Sequence, residues 1–312
     1  MADRNAFNKD STTDEVLEGI DLNGKTVVIT GGTSGLGAES ARSMAAKGAN
    51  VLITGRTLEK AQRVADGIAA DTGGNVSAEE VELGEFGSIR AFAERVVAKH
   101  PHIDILINNA GVMACPYAET KDGFELQFGS NHLGHFLMTK LLMPALGDGS
   151  RVVVLSSAAH QFAPVFFDDI GFKNTDYEKW AAYGQSKTAN ALFAVGLNSR
   201  LKDKGAEAFS VHPGVIETEL GRHMTDEDWA MFAPLIESGA VALKTVPQGA
   251  ATQVYAATAP EIAGKGGAYL ADSTIAPVEE GTDDYSKVRP YAVDGSDAER
   301  LWQISEEMIA AA

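Results

Sequence analysis

The β-branched run Thr26–Thr30 (TVVIT) leads directly into a glycine-rich loop, Gly31-Gly32-Thr33-Ser34-Gly35-Leu36-Gly37, and the loop into Leu36–Lys47, whose apolar residues recur at helical spacing. Strand, tight loop and helix in that order restrict the fold more than any other feature of the chain. Gly31 permits the turn, Gly35 lets the backbone approach a pyrophosphate, and Gly37 lets the helix pack closely on the sheet. The helix N-terminus then offers free N–H groups and partial positive charge to the phosphates. Thr33, Ser34 and Leu36 complete the loop and are expected beside the same ligand. Turns use glycine for many reasons, so a merely structural loop is the other reading; the position between strand and helix favours dinucleotide binding.

The rest of the chain repeats the alternation. Val51–Thr54, Asn75–Val81, Ile103–Ile107, Arg151–Leu155, Phe209–Val211 and Gly267–Ala271 read as further strands. Leu58–Ala70, Ser88–Lys99, one long stretch from Phe124 to about Leu146, and Tyr183 to about Lys202 read as helices, with Asp297–Ala310 an amphipathic terminal one. This pattern predicts an α/β fold, a Rossmann-type doubly wound parallel sheet of about seven strands with helices on both faces. Residues 1–20 are expected to form an extension and residues 21–312 a single domain.

A net charge of −17 argues against a nucleic-acid partner, which needs clustered Lys and Arg, and against an anionic membrane surface. Cys115 is the only cysteine, so no intrachain disulfide framework exists, and a reducing compartment fits. With no window apolar enough to span a bilayer and no apolar leader in the N-terminal stretch, the expected location is cytoplasmic.

The end of the second strand indicates which dinucleotide. An NAD site usually carries an acidic residue there for the ribose 2′-hydroxyl. This chain has Gly55-Arg56-Thr57 instead. Arg56 suits a 2′-phosphate through charge-assisted hydrogen bonds and Thr57 adds a hydroxyl, which favours NADP(H). A solvated turn arginine is the alternative.

Together with TGGTSGLG at Thr30–Gly37, the chain carries NNAG at Asn108–Gly111, Asn131 within SNHLGHF, Ser156-Ser157 and Tyr183-Gly184-Gln185-Ser186-Lys187. Pro213-Gly214 and Thr218 follow. In this order the motifs resemble the short-chain dehydrogenase/reductase family, and NHLGHF with AYGQSKTANALF is most similar to the retinol-dehydrogenase-like subgroup and its bacterial relatives. The resemblance covers roughly Gly24 to Asp272. It implies Tyr183 as the acid/base at a carbonyl or alcohol and Lys187 as the charge that favours its phenolate, four residues along the same helix face. Ser157, preferred to Ser156, is expected to hydrogen-bond the substrate oxygen, where negative charge develops. Asn131 is expected in the long helix, holding a water that links Lys187 to solvent. Asn109, Ala110 and Gly111 are expected on the adenosine side, Glu82 and Leu83 near the adenine, and Pro213, Gly214, Ile216 and Thr218 around the nicotinamide. Glu82 stands where the family often has aspartate, and VVVLSS lacks an asparagine often found before its serines.

The resemblance therefore implies an NADP(H)-dependent reductase/dehydrogenase. A double-bond reductase of the same superfamily and a non-catalytic NADP(H)-binding sensor or scaffold are the alternatives; the latter would be expected to lose Tyr183, Lys187 or Ser157. His132 and His135 lack the further ligands a metal site needs, so no metal is expected. His212 reads as a strand-end hydrogen-bonder, and Cys115 as a packed thiol or a neighbour of the substrate. A long insertion, about 158–182, carries Phe162, Phe166, Phe167, Phe172, Tyr177 and Trp180. A substrate lid, about 219–245, carries Leu220, Met224, Trp229, Met231, Phe232, Leu235 and Ile236. These residues suit a bulky apolar or aromatic substrate or simply pack the insertion down. The resemblance implies a homodimer or homotetramer through the Tyr183 helix; the alternative is that the long insertion before it blocks that surface.

Overall fold

The computed structural model describes residues 7–237, 242–281 and 284–312. Residues 1–6 of the expected extension, 238–241 of the expected lid and the side chains of Met231 and Leu235 lie outside the described residues. The order is α1 (Thr13–Val16), β1 (Thr26–Ile29), α2 (Gly35–Ala45), β2 (Asn50–Gly55), α3 (Leu58–Thr72), β3 (Asn75–Glu80), α4 (Phe86–Lys99) and β4 (Ile105–Asn108). Next come α5 (Leu126–Phe128), α6 (Gly134–Leu142), β5 (Arg151–Leu155), α7 (Lys179–Leu201) and β6 (Glu207–His212). The described chain ends with α8 (Asp226–Glu237), α9 (Val246–Thr258), β7 (Tyr269–Ala271), β8 (Thr274–Ile275) and α10 (Gly295–Ala310).

The strands form one 8-stranded sheet in the order β3-β2-β1-β4-β5-β6-β7-β8. Strands β1 to β7 pair in parallel, as the α/β Rossmann-type reading expects, and β8 adds an antiparallel edge to β7. Two residues carry no periodicity, so β8 has no signal in the sequence. Alternate side chains of β1 serve opposite faces. Val27 and Ile29 join the core under α2, α3 and α9, while Val28 joins the core of α4, α6, α7 and α10. Burial on both faces explains why the strands read as nearly unbroken apolar runs. The strand order reverses between β1 and β4, which opens a crevice at their carboxyl ends, the place where doubly wound sheets take ligands.

Two boundaries differ from the sequence reading in ways that matter for the site. The stretch from Phe124 to Leu146 is not one helix. It is α5, a five-residue π turn Gly129–Leu133, α6 and a 3₁₀ turn Met143–Ala145. Gly129 and Gly134 bracket the π turn and are poor helix formers, while Pro144 in the final turn has no N–H to continue the ladder. Helix α7 starts at Lys179 rather than Tyr183, because the Glu178 carboxylate accepts from the N–H groups of Trp180 and Ala181. Part of the expected extension is also packed down: Thr12 and Glu15 form a capping box for α1, and Val16 and Leu17 are fully buried. No helix among the described residues is long and apolar enough to cross a membrane.

Candidate active site

A cavity of about 1070 Å³ runs along the carboxyl ends of the central strands. One end is formed by the glycine loop, with Gly31, Thr33, Ser34, Gly35 and Leu36, and by Arg56, Thr57, Glu82 and Leu83. Asn109, Ala110 and Gly111 line its middle. Ser157 and the buried Tyr183 and Lys187 line the cavity as well, as do Pro213, Gly214, Ile216 and Thr218.

Two of the expected site residues, Gly37 and Asn131, lie behind the cavity wall rather than in it. A Cβ on Gly37 would sit 2.4 Å from the Gly31 carbonyl oxygen and 2.6 Å from Asn109 Nδ2, so glycine there allows α2 to close onto the loop. Gly31 itself adopts a φ of +65°, which turns the chain sharply out of β1. Asn109 ties this loop to β4, its Nδ2 donating to the carbonyls of Thr30 and Gly31 at 2.8 and 3.3 Å.

Asn131 sits in the π turn, fully buried. Its Oδ1 accepts from the Val112 N–H at 2.8 Å, and its Nδ2 donates to the Val112 carbonyl at 2.9 Å and to Ser186 Oγ at 3.0 Å. The amide thus fastens the loop after NNAG to the tyrosine helix. Its own carbonyl accepts from His135 Nδ1 at 2.9 Å. The tautomer of His135 follows from counting partners. Thr30 Oγ1 accepts from the N–H groups of both Asn109 and Ala110, so its own proton goes to His135 Nε2 at 2.8 Å and the ring proton lies on Nδ1. Burial keeps this imidazole neutral, with its pKa lowered to about 4.

Tyr183 and Lys187 project from one face of α7 into the cavity, the Lys187 ammonium 5.5 Å from the Tyr183 ring centroid. Burial pushes the Tyr183 phenol upward, and the hydrogen-bonded Ser157 hydroxyl pulls the other way. Burial lowers Lys187 to about 8, and its Nζ donates to the Leu155 carbonyl at 3.1 Å. The two serines after β5 separate clearly. Ser156 Oγ donates to the Lys187 carbonyl at 2.7 Å, whereas the Ser157 hydroxyl faces the phenol.

The sequence reading did not single out what holds Ser157. His160 Nε2 accepts from the Arg289 N–H at 3.1 Å, so its proton lies on Nδ1, which donates to the Ser157 carbonyl at 2.7 Å. His212, expected as a strand-end hydrogen-bonder, accepts at Nδ1 from the Ala158 N–H at 3.0 Å. No local pattern marks His160, because its partner lies 129 residues away. Lys60 also lines the cavity, and a basic residue four positions beyond Arg56 was its one sequence signal. Its Nζ lies 3.7 Å from Glu219, whose carboxylate also accepts from Ser34 Oγ at 3.2 Å.

The aromatic residues of the insertion divide into two sets. Phe166, Phe172 and Tyr177 stack edge to face on one another, and Phe167 lies under the Arg300 guanidinium. Phe162 and Trp180 instead line the cavity, with Leu220, Met224, Trp229, Phe232 and Ile236 of the expected lid. Cys115 is buried, its thiol raised by desolvation, and it does not line the cavity. No group of three or more metal-ligating side chains occurs among the described residues.

Comparison with known proteins agrees with this architecture. The family model described as short chain dehydrogenase matches residues 25–229. Human retinol dehydrogenase 14 is 38% identical over 92% of this chain and 87% of its own length, and human retinol dehydrogenase 12 is 40% identical over 93% and 88%. The crystal structure of a short chain dehydrogenase from Burkholderia cenocepacia J2315 in complex with NADP superposes with a TM-score of 0.64 at 26% identity, covering 80% of this chain and 96% of that one. The chain belongs to the short chain dehydrogenase family, in the subgroup that holds the retinol dehydrogenases.

Proposed function

We propose that the protein is an NADP(H)-dependent oxidoreductase that interconverts a ketone or aldehyde and the corresponding alcohol on a bulky apolar or aromatic substrate. The observation that carries this reading is one cavity with a glycine loop at one end and Tyr183, Ser157 and Lys187 together at its base. The free N–H groups at the start of α2 suit a pyrophosphate, and Gly35, in the cavity wall at a φ of +52°, offers bare backbone for the close approach a dinucleotide needs. Arg56, Thr57 and Lys60 line the cavity where a 2′-phosphate would lie, and the Burkholderia neighbour was solved with NADP. The bound cofactor supplies or accepts the hydride.

The remaining work falls to the chain's own side chains. Tyr183, kept protonated by burial, donates its phenolic proton to the substrate oxygen as a carbonyl is reduced and recovers it in the reverse direction. Ser157 holds that oxygen by a hydrogen bond that strengthens as charge develops. Lys187 places positive charge near the phenol and eases its deprotonation. Asn131 fixes the Val112 wall against α7. The retinol dehydrogenase names of the relatives, and the aromatic and Met residues at the cavity mouth, support a large apolar alcohol or carbonyl compound.

The test is a screen of NADPH and NADH consumption over retinal, a steroid ketone, an aryl ketone and small aldehydes. The expected result is turnover of a bulky class with NADPH preferred. Preference for NADH would overturn the reading of Arg56, and absence of turnover with every carbonyl would overturn the reaction.

A further inference from the structure

The Asp228 carboxylate joins the lid to the helix that carries Tyr183. It sits in the first turn of α8 with its side chain only 6% exposed. Its Oδ2 accepts from the Thr225 N–H at 2.7 Å and the Thr225 hydroxyl at 3.0 Å, and it pairs with Lys179 Nζ at 2.5 Å. Its Oδ1 accepts from the indole Nε1–H of Trp180 at 2.8 Å. The contacts with Thr225 are local and cap α8. Those with Lys179 and Trp180 reach the first turn of α7, where Trp180 lines the cavity. Burial pushes the Asp228 carboxyl up, but the bonds from Lys179, Thr225 and Trp180 outweigh it and hold it below the ordinary carboxylate range.

Trp180 is the centre of the aromatic wall. Its ring meets Phe232 at 5.2 Å and Phe162 and Tyr183 at 6.2 Å each, all edge to face, and all four residues line the cavity. Trp180 precedes Tyr183 by three residues, so wall and proton donor share one helix face. An indole can rotate about its side-chain bonds, and the bond from Nε1 to a buried carboxylate selects one orientation.

We infer that Asp228 is a positioning residue that fixes the Trp180 indole as a flat wall beside Tyr183, and so sets a preference for planar, aromatic or conjugated carbonyl substrates. This rests on the oxidoreductase reading above. Asparagine is nearly isosteric but cannot replace the carboxylate. With its oxygen toward Trp180, its NH₂ faces the donors Thr225 N and Lys179. Flipped, the NH₂ faces the indole N–H instead.

The test uses Asp228→Asn, Trp180→Phe and the double variant, with NADPH and two probe substrates, 2-acetylnaphthalene and propanal. Losing a hydrogen bond to a charged group predicts that Asp228→Asn lowers the kcat/KM ratio of acetylnaphthalene over propanal about tenfold, chiefly through KM. Trp180→Phe is expected to lower the ratio similarly, and the double variant no further than the larger single effect. Independently of turnover, the emission difference between wild type and Trp180→Phe reports the indole. That spectrum is expected to shift to longer wavelength in the Asp228→Asn background. An unchanged ratio or additive losses in a protein that turns over would overturn the inference, as would an unshifted Trp180 emission. If the wild type turns over no carbonyl of the screen above, the oxidoreductase reading fails on its own, and the emission shift still decides whether Asp228 orients the indole.

Discussion

Four of the seven histidines, His132, His135, His160 and His212, are buried, and their environment makes a quantitative demand on stability. Desolvation lowers His132 and His212 to about 3, and His135 and His160 to about 4, from an ordinary 6.5. The folded protein therefore keeps all four neutral between pH 6.5 and about 4, whereas the unfolded chain protonates them. The unfolded state binds more protons in that window, so stability is fully present above pH 6.5 and falls as the pH drops. Each imidazole contributes about 1.4 kcal/mol per pH unit, and the four together about 5 kcal/mol per unit. By pH 5 the loss reaches about 8 kcal/mol, comparable with the ~5–15 kcal/mol that holds a typical domain folded. The buried Glu125 opposes this by at most one proton, because burial raises its pKa and the folded state takes that proton first. Paired carboxylates such as Asp104 and Glu79, held low, matter only at more acidic pH. The expected result is acid unfolding at 25 °C with a midpoint above pH 4, followed by far-UV circular dichroism. Urea titrations at pH 7, 6 and 5 are expected to show a shallow loss between pH 7 and 6 and a slope of about three to four protons between pH 6 and 5, Glu125 accounting for the difference. His132→Leu is expected to remove one proton from that slope. A slope below about 1.4 kcal/mol per pH unit between pH 6 and 5 would refute the reasoning.

Asn131→Ala leaves both the N–H and the carbonyl of Val112 without their partner, which costs about 2–4 kcal/mol in urea unfolding. Ser186→Ala removes only an acceptor of the Asn131 amide and the bond to the Tyr183 carbonyl, and is expected to cost about 1 kcal/mol. Equal costs would mean that the amide does not secure the Val112 loop. Gly37→Ala places a methyl 2.4 Å from the Gly31 carbonyl oxygen, forcing α2 away from the loop. A loss of NADPH affinity of about tenfold or more, read by fluorescence titration, is expected with the fold retained.

The glycine loop was legible because each of its glycines answers a local requirement, the turn at Gly31 and the approach of α2 at Gly37. Tyr183 and Lys187 were legible because the surrounding motifs carry the family resemblance, and their four-residue spacing then puts both on one helix face. What holds those groups was not legible, since it depends on distant partners. His160 reads Arg289, Thr30 reads His135 and Asp228 reads Trp180, pairs separated by 129, 105 and 48 residues. The π turn escaped for a related reason. The apolar pattern from Phe124 to Leu146 fits a continuous helix, and Gly129 and Gly134 weaken it without marking a π turn, where Asn131 is held against Val112. The insertion aromatics look alike in sequence, yet Trp180 lines the cavity while Phe172 and Tyr177 stack on each other outside it.

The most direct test of Tyr183 as proton donor is Tyr183→Phe, which removes one hydroxyl from the cavity and leaves the ring in place. Ketone reduction and NADPH binding are measured on the same preparation. The expected result is that kcat falls by about 10²-fold or more, the usual contribution of a general acid, while NADPH affinity stays within about threefold of the wild type. A variant that keeps most of its turnover would contradict the assignment of Tyr183 as the proton donor.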